Sequence, residues 1–305
     1  MMLVLSVVLV FIAAWFLTWL VEKMLRKCNV MDIPNERSSH VIPTPKGGGI
    51  AIIIAIIPWC FWAYPALAMG VLLLALLSFV NDKRDIPGRY RLAVHFAITV
   101  VFLGFFPLDG SISQGILPYE LDYILSIVIW VWFMNLYNFM DGIDGIAGVE
   151  TLLLGTGIFL FTGEYFSLAI AAAALGFLMW NWHPARIFMG DVGSIPLGFL
   201  LGFLLLKLAA QGLWLPAIIL PLYYFADATF TLLKRLYNKE NVLKPHKQHF
   251  YQQAVQKGYK HSYVAAMVGL TNIGLIVVAL LGGYIGIILS ILITIGTIMH
   301  FRKLQ

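Results

Sequence analysis

Apolar residues run along this chain in long unbroken stretches, separated by short polar breaks, without the alternation of a half-buried strand. A stretch of about 20 apolar residues crosses a bilayer as a helix, because backbone amides in lipid must bond within their own segment. The stretches predict eleven spans, near 2–21, 48–64, 66–80, 92–107, 121–137, 146–162, 165–182, 193–210, 214–233, 262–281 and 284–300. The fold class is therefore all-α and polytopic, with about 11 transmembrane helices, or ten if the short stretch 66–80 does not cross. Residues 1–305 read as a single transmembrane domain. The first stretch has no basic residue before it and Glu22, Lys23, Arg26 and Lys27 after it. That polarity is wrong for a cleaved signal peptide and predicts a retained helix.

Charge tests the count. With an external N-terminus, eleven spans put loops 22–46, 81–91, 138–145, 183–192 and 234–261 and the tail after His300 on one side. Nineteen of the 20 Lys and Arg residues fall there, the exception being Lys207. Basic residues stay inside, so this side is cytoplasmic and the N-terminus periplasmic. Composition agrees: 61% of residues are hydrophobic and only 11% charged, which excludes a soluble globule and a disordered chain. The net charge of +5 is a cytoplasmic surface property suited to anionic headgroups or an anionic substrate. Nucleic-acid binding would need a soluble basic module, and the sequence has none. Cys28 and Cys60 fall in or beside apolar runs and are expected to be buried free thiols.

Polar residues at membrane depth are costly, so they mark candidate chemistry. Asn135, Asn138, Asp141 and Asp144 recur every third residue and would line one half-face at the cytoplasmic end of a helix, loosened by Gly142 and Gly145. Asp191 sits between glycines at the mouth of the next helix, ten residues after Asn181. Oxygen ligands of this kind suit Mg²⁺, although an Asp there could equally cap the helix. In Pro43-Thr-Pro-Lys46-Gly47-Gly48-Gly49, three glycines before a helix could expose N–H groups to an anion, with Lys46 and Arg37 adding charge. Close helix packing would explain the glycines as well. Asn81, Asp82 and Asp85 share a loop with Lys83, Arg84, Arg89 and Arg91. His249 and Lys247 suit phosphate contact better than zinc, since no Cys or third His lies near His246 and His249 in sequence. His95, inside a span, reads as packed or hydrogen-bonded. The inventory fits Mg²⁺-assisted phosphoryl transfer at a membrane boundary, where catalysis is largely positioning and charge neutralisation.

At these residues the chain resembles the polyprenyl-phosphate N-acetylhexosamine-1-phosphate transferases, of glycosyltransferase family 4 type. The resemblance rests on Arg37-Ser-Ser-His-Val-Ile-Pro-Thr-Pro-Lys-Gly-Gly-Gly49, Asn138-Phe-Met-Asp-Gly-Ile-Asp-Gly-Ile-Ala147 and Pro184-Ala-Arg-Ile-Phe-Met-Gly-Asp-Val-Gly-Ser194, in that order. Gln248-His249-Phe250-Tyr251 and the Pro-Thr-Pro-Lys form look most like the O-antigen-initiating branch. The resemblance implies a multi-pass enzyme of the bacterial inner membrane. It would transfer N-acetylhexosamine 1-phosphate from a UDP-N-acetylhexosamine to undecaprenyl phosphate, releasing UMP, with Mg²⁺ (or Mn²⁺ in its place). A homodimer is implied as well. Asp191 matches the metal-binding Asp, assisted by Asn138. Asp141 and Asp144 match the pair around nucleotide and diphosphate, and Asn181 a uracil contact. His249 matches a histidine near the diphosphate, and Asp82 and Asp85 the early acidic motif.

This chain departs from the family at Asn81, where the usual motif has the first of two adjacent aspartates, proposed to deprotonate or orient the lipid phosphate. That phosphate is largely dianionic near neutral pH, its second pKa being about 6, so a positioning Asn81 suffices. A transferase of CDP-alcohols would need an Arg after Asp144-Gly-Ile-Ala, which is lacking. A transporter or flippase for an anionic lipid-linked substrate would hold its polar residues at mid-bilayer, where Asp227 is the main candidate.

Overall fold

The apolar stretches fold into helices nearly where they are predicted. The computed structural model describes residues 2–34, 39–40, 42–84, 86–242, 244 and 246–303, without the side chains of 82–84. Among them are α1 (Met2–Lys27), α2 (Gly49–Ala63), α3 (Pro65–Arg84), α4 (Gly88–Phe105), α5 (Tyr119–Phe139), α6 (Ile146–Thr162) and α7 (Tyr165–Asn181). There follow α8 (Asp191–Ala210), α9 (Trp214–Ile219), α10 (Leu222–Tyr237), α11 (Phe250–Gln256), α12 (His261–Leu281) and α13 (Gly283–Lys303). Six of these are long and apolar enough to cross a membrane, and four shorter apolar helices accompany them. The chain is a multi-pass, all-α membrane protein.

The stretch 214–233 is not one helix. It breaks at Leu220–Pro221 into α9 and α10, because Pro221 supplies no N–H to continue the ladder and fixes its own φ. The short α11, within the long loop between α10 and α12, is an element that hydropathy does not reveal. Cys60 is buried as expected, whereas Cys28, one residue past the end of α1, is exposed.

Helix α8 is the axis of the bundle, buried along almost its whole length, with α3, α5, α2 and α6 packed around it. Its glycines permit this close approach: a Cβ on Gly202 would lie 2.7 Å from the Trp130 ring. Trp130 stacks on Phe199 and donates from Nε1 to the Phe199 carbonyl, so the aromatic core of α5 and α8 also satisfies its polar atom. Lys207, the one cation off the basic side, is held at the opposite end of α8 by Glu164 at 3.0 Å and by Tyr64. A two-residue antiparallel pair, β1 (Met31–Asp32) with β2 (Thr44–Pro45), lays the loop after α1 beside Phe188. The N-terminal end of α8 is thereby surrounded by the basic-side loops.

Candidate active site

Helix α5 carries Asn135 and Asn138 but ends at Phe139, so Asp141 and Asp144 sit in the loop that follows. The expected half-face of four residues on one helix is thus not formed. Gly145, at φ +80°, turns the chain into α6. Asn135 returns its amide to the Val131 carbonyl and serves the helix. Asn181 accepts from the Gly145 N–H at 3.0 Å and donates to the Ile187 carbonyl at 2.9 Å. The side chain assigned to uracil contact is therefore buried and clamps two loops, each end of its amide engaged with backbone.

Asp191 opens α8 after Gly190, whose φ is +71°. Its carboxylate does not cap the helix; Oδ2 accepts from Arg91 at 2.7 Å and from Asn81 at 3.2 Å. Asn81 is itself fixed by the Ile86 N–H on its Oδ1. Ser194, one turn into α8, donates to Asn138 Oδ1 at 2.6 Å and aims that amide oxygen at the same end of the bundle. Burial, reinforced by the neighbouring Asp191 charge, pushes the Asp141 carboxyl well above the usual carboxylate range, while Lys46 acts in the opposite sense. Two carboxylates that repel, with an oriented amide oxygen nearby, are a donor set of hard oxygens that fits Mg²⁺. Arg91 answers one of the two charges in the absence of an ion.

The three glycines of the first loop do not form an anion cradle. The N–H groups of Gly47 and Gly48 donate to the Phe188 carbonyl at 3.1 and 2.8 Å, and that of Gly49 to Met189 at 2.9 Å. A Cβ on Gly49 would collide with the Gly193 backbone, so the run is there for packing. Lys46 keeps its electrostatic place beside Asp141 and is half-buried. Arg37 and Asp85 lie outside the described residues, as does the side chain of Asp82.

His249 is buried, with Nδ1 3.2 Å from Asp227 Oδ1. The same Asp227 accepts from the Phe250 and Tyr251 N–H groups, the first turn of α11, and from the Tyr223 hydroxyl. The acid that looked like a mid-bilayer exception thus anchors α11 and orients His249. Helix α11 meets the acidic loop through Tyr251, whose hydroxyl donates to the Phe139 carbonyl at 3.0 Å. Burial, with the charges of His249 and Arg235 adding, pushes His246 down to about 4, so it stacks on His249 as a neutral ring. Lys247 is half-buried in the same loop. Replacing Asp227 with Asn is expected to lower kcat roughly 10–100-fold, the usual size of losing an orienting partner, with little change in KM. Steady-state kinetics on the purified variant check this.

Asp144 makes a separate cluster. His183 Nδ1 lies 2.6 Å from Oδ2, His261 Nδ1 3.2 Å from Oδ1, and the Ala185 N–H donates to Oδ2 at 3.2 Å. Burial alone would raise this carboxyl, but the contacts from His261, His183 and Ala185 outweigh it and hold it below the usual range. The two loop acids are therefore driven apart, Asp141 toward its protonated form and Asp144 toward its ionised form.

Residues 64–209 match glycosyl transferase family 4. Over 273 residues the chain is 27% identical to the probable undecaprenyl-phosphate N-acetylglucosaminyl 1-phosphate transferase of Bacillus subtilis (strain 168), covering 80% of this chain and 75% of that one. It is also 27% identical over 246 residues to the undecaprenyl-phosphate alpha-N-acetylglucosaminyl 1-phosphate transferase of Thermotoga maritima, covering 78% and 77%. A decaprenyl-phosphate N-acetylglucosaminephosphotransferase of Mycobacterium leprae (strain TN) is 25% identical over 312 residues, covering 85% and 78%. The chain is similar to glycosyl transferase family 4 across this central segment.

The structure adds residues that sequence reading passed over. Arg91 was counted only as a loop cation; its place one turn before His95 on α4 could have marked it as facing the bundle. His183 directly precedes the Pro184–Ser194 motif, and His261 opens α12, but nothing in the spacing of 39 and 117 residues from Asp144 could have joined them. His95 is packed as expected, although neither ring nitrogen finds a hydrogen-bond partner among the described residues. At Asn81 the amide bonds Asp191 where a carboxylate would repel it. Asn81→Asp is expected to retain or raise turnover and, where Mg²⁺ is held at Asp191, to need less Mg²⁺ to reach it. Turnover measured against Mg²⁺ concentration decides, and a sharp loss at saturation would show that the amide itself is required.

Proposed function

We propose that the chain transfers an N-acetylhexosamine 1-phosphate from a UDP-N-acetylhexosamine to undecaprenyl phosphate at the inner face of the bacterial plasma membrane. The products are the lipid diphosphosugar and UMP, a first membrane step in making a cell-surface glycan of O-antigen type. The observation that supports it most is the convergence of Asp191, Arg91, Asn81, Asp141 and Asn138 at the basic end of α8, from segments up to 110 residues apart. The relatives' names, all polyprenyl-phosphate N-acetylglucosamine-phosphate transferases, supply the substrate class.

In this reading a lipid phosphate oxygen attacks the sugar-bearing phosphorus of the donor, and the bond to the UMP oxygen breaks. The nucleophile is already largely ionised near neutral pH, so no strong base is needed. Asp191 and Asn138, with Asp141 beside them, would hold Mg²⁺, whose contribution is to neutralise charge spread over the transferring phosphoryl group. Arg91 and Lys46 supply fixed positive charge near the same point, and Asp227 holds His249 where α11 meets the loop. Asp85 and the side chain of Asp82 would complete the lipid-phosphate side, with Lys247 and Arg37 at the nucleotide side. Asp227, the acid that a transporter would recruit, is committed to α11. Purified protein with undecaprenyl phosphate and a panel of UDP-sugars should release UMP and form the lipid product only with Mg²⁺. Absence of UMP release across the panel would overturn the proposal.

A further inference from the structure

The Asp144 cluster differs in kind from the oxygen-rich end of α8, for it brings two imidazoles to one carboxylate. His183 Nδ1, His261 Nδ1 and a carboxylate oxygen of Asp144 all lie within 4.8 Å of one another. Asp144 and His261 are buried, and the rings of His183 and His261 are 5.0 Å apart.

The hydrogen bonds around His261 settle its tautomer. Nε2 lies 3.0 Å from the Ser39 carbonyl, which can only accept, so Nε2 carries a proton. The Asp144 N–H donates to Nδ1 at 3.3 Å, so Nδ1 presents a lone pair. In that tautomer the lone pair also stands 3.2 Å from Asp144 Oδ1, one electron-rich atom against another, whereas a ring protonated at Nδ1 would donate to the carboxylate. A proton on Nδ1 would relieve this contact but would oppose the Asp144 N–H. A cation between the three side chains relieves it and leaves both hydrogen bonds in place.

We propose that Asp144, His183 and His261 form a binding site for a divalent transition ion of the Zn²⁺ type, distinct from the Asp191 carboxylate. Imidazole suits such ions, whereas Mg²⁺ prefers oxygen, so the two ends of the acidic loop select different metals. Bonds of about 2.1 Å in a tetrahedral site place ligand atoms roughly 3.4 Å apart. The His261–Asp144 separation nearly fits this already. The 2.6 Å His183 contact opens by under about 1 Å when the ion replaces its hydrogen bond. The Ser39 carbonyl on His261 and the Ala185 N–H on Asp144 are the orienting partners that metal ligands require. Three protein ligands leave a fourth position open. The ion would tie the loop after α5, the loop after α7 and the start of α12 into one unit, and its binding is read without substrate.

The test is a titration of the purified full chain with Co²⁺ in excess Mg²⁺, followed by visible absorption. The expected result is tetrahedral Co²⁺ bands saturating at one equivalent and displaced by Zn²⁺. His261→Ala and the milder His183→Gln should each weaken Co²⁺ binding at least 10-fold, while Asp191→Asn leaves it intact. Half-exposed His183 makes His183→Gln the variant that keeps the fold, which its melting temperature verifies. Zn²⁺ should raise the melting temperature of the unmodified chain and not of His183→Gln. Absence of bands at one equivalent overturns the site, as do bands unchanged in a folded His183→Gln or lost in Asp191→Asn.

Discussion

Asp191→Asn should lower kcat by on the order of 10³-fold, near the upper size of losing one preorganised electrostatic group, while the protein stays folded. The side chain is half-buried at the start of α8, and an Asn oxygen can still accept from Arg91 at the observed 2.7 Å. What it cannot do is supply the negative charge that the proposed Mg²⁺ site at the end of α8 requires. The loss should therefore fall on turnover rather than on melting temperature, and added Mg²⁺ should not restore it. UMP release per enzyme, with melting curves on the same preparations, measures both. A loss under about tenfold would remove Asp191 from the metal assignment, because such a factor is only 1.4 kcal/mol of barrier.

Asp141→Asn should separate stability from function. Burial, and then the charge of Asp191, raise the Asp141 carboxyl well above its ordinary range, so the folded chain favours the protonated form. The sign follows from linkage: this group's favourable contribution is fully present below the ordinary carboxylate value and is lost as pH rises through the folded one. Without divalent ion, the unmodified chain should lose melting temperature as pH rises from 5 to 8, and the Asn variant should lose less. At pH 8 the variant should melt about 2 °C higher, the shift that roughly 1 kcal/mol makes in a chain of this size. Mg²⁺ should narrow the difference by stabilising only the ionised acid. Turnover should nonetheless fall about 10²–10³-fold, since the repulsion that destabilises the fold is what draws the cation. A variant that is less stable at every pH would show that Asp141 is instead tied into a favourable ion pair.

The candidate site was half legible. Its acids and amides stood out because each is expensive beside an apolar span, and a residue-by-residue reading detects that expense. The partners that give them roles did not stand out. Arg91 looked like any juxtamembrane cation, His261 like the start of a helix, and Asp227 like an intramembrane anomaly. The expected nitrogen cradle at Gly47–Gly49 failed for a related reason: exposed N–H groups and N–H groups filled by the Phe188 and Met189 carbonyls share one sequence. The half-face from Asn135 to Asp144 failed because α5 stops at Phe139, leaving Asp141 and Asp144 in the loop before α6.

What sequence alone determined is the all-α, multi-pass class, the positions of most of the apolar helices and the stretches that hold chemistry. These are local transfer free energies: each apolar residue gains and each charge loses by entering lipid, whatever its neighbours do. Only the tertiary structure decided that 214–233 is two helices, that Asn81 and Arg91 both grip Asp191, and that Asp144 faces two histidines while Asp141 faces another acid. Those are pairings across 39 to 117 residues of chain. Their energies depend on distances that hydropathy and spacing do not encode.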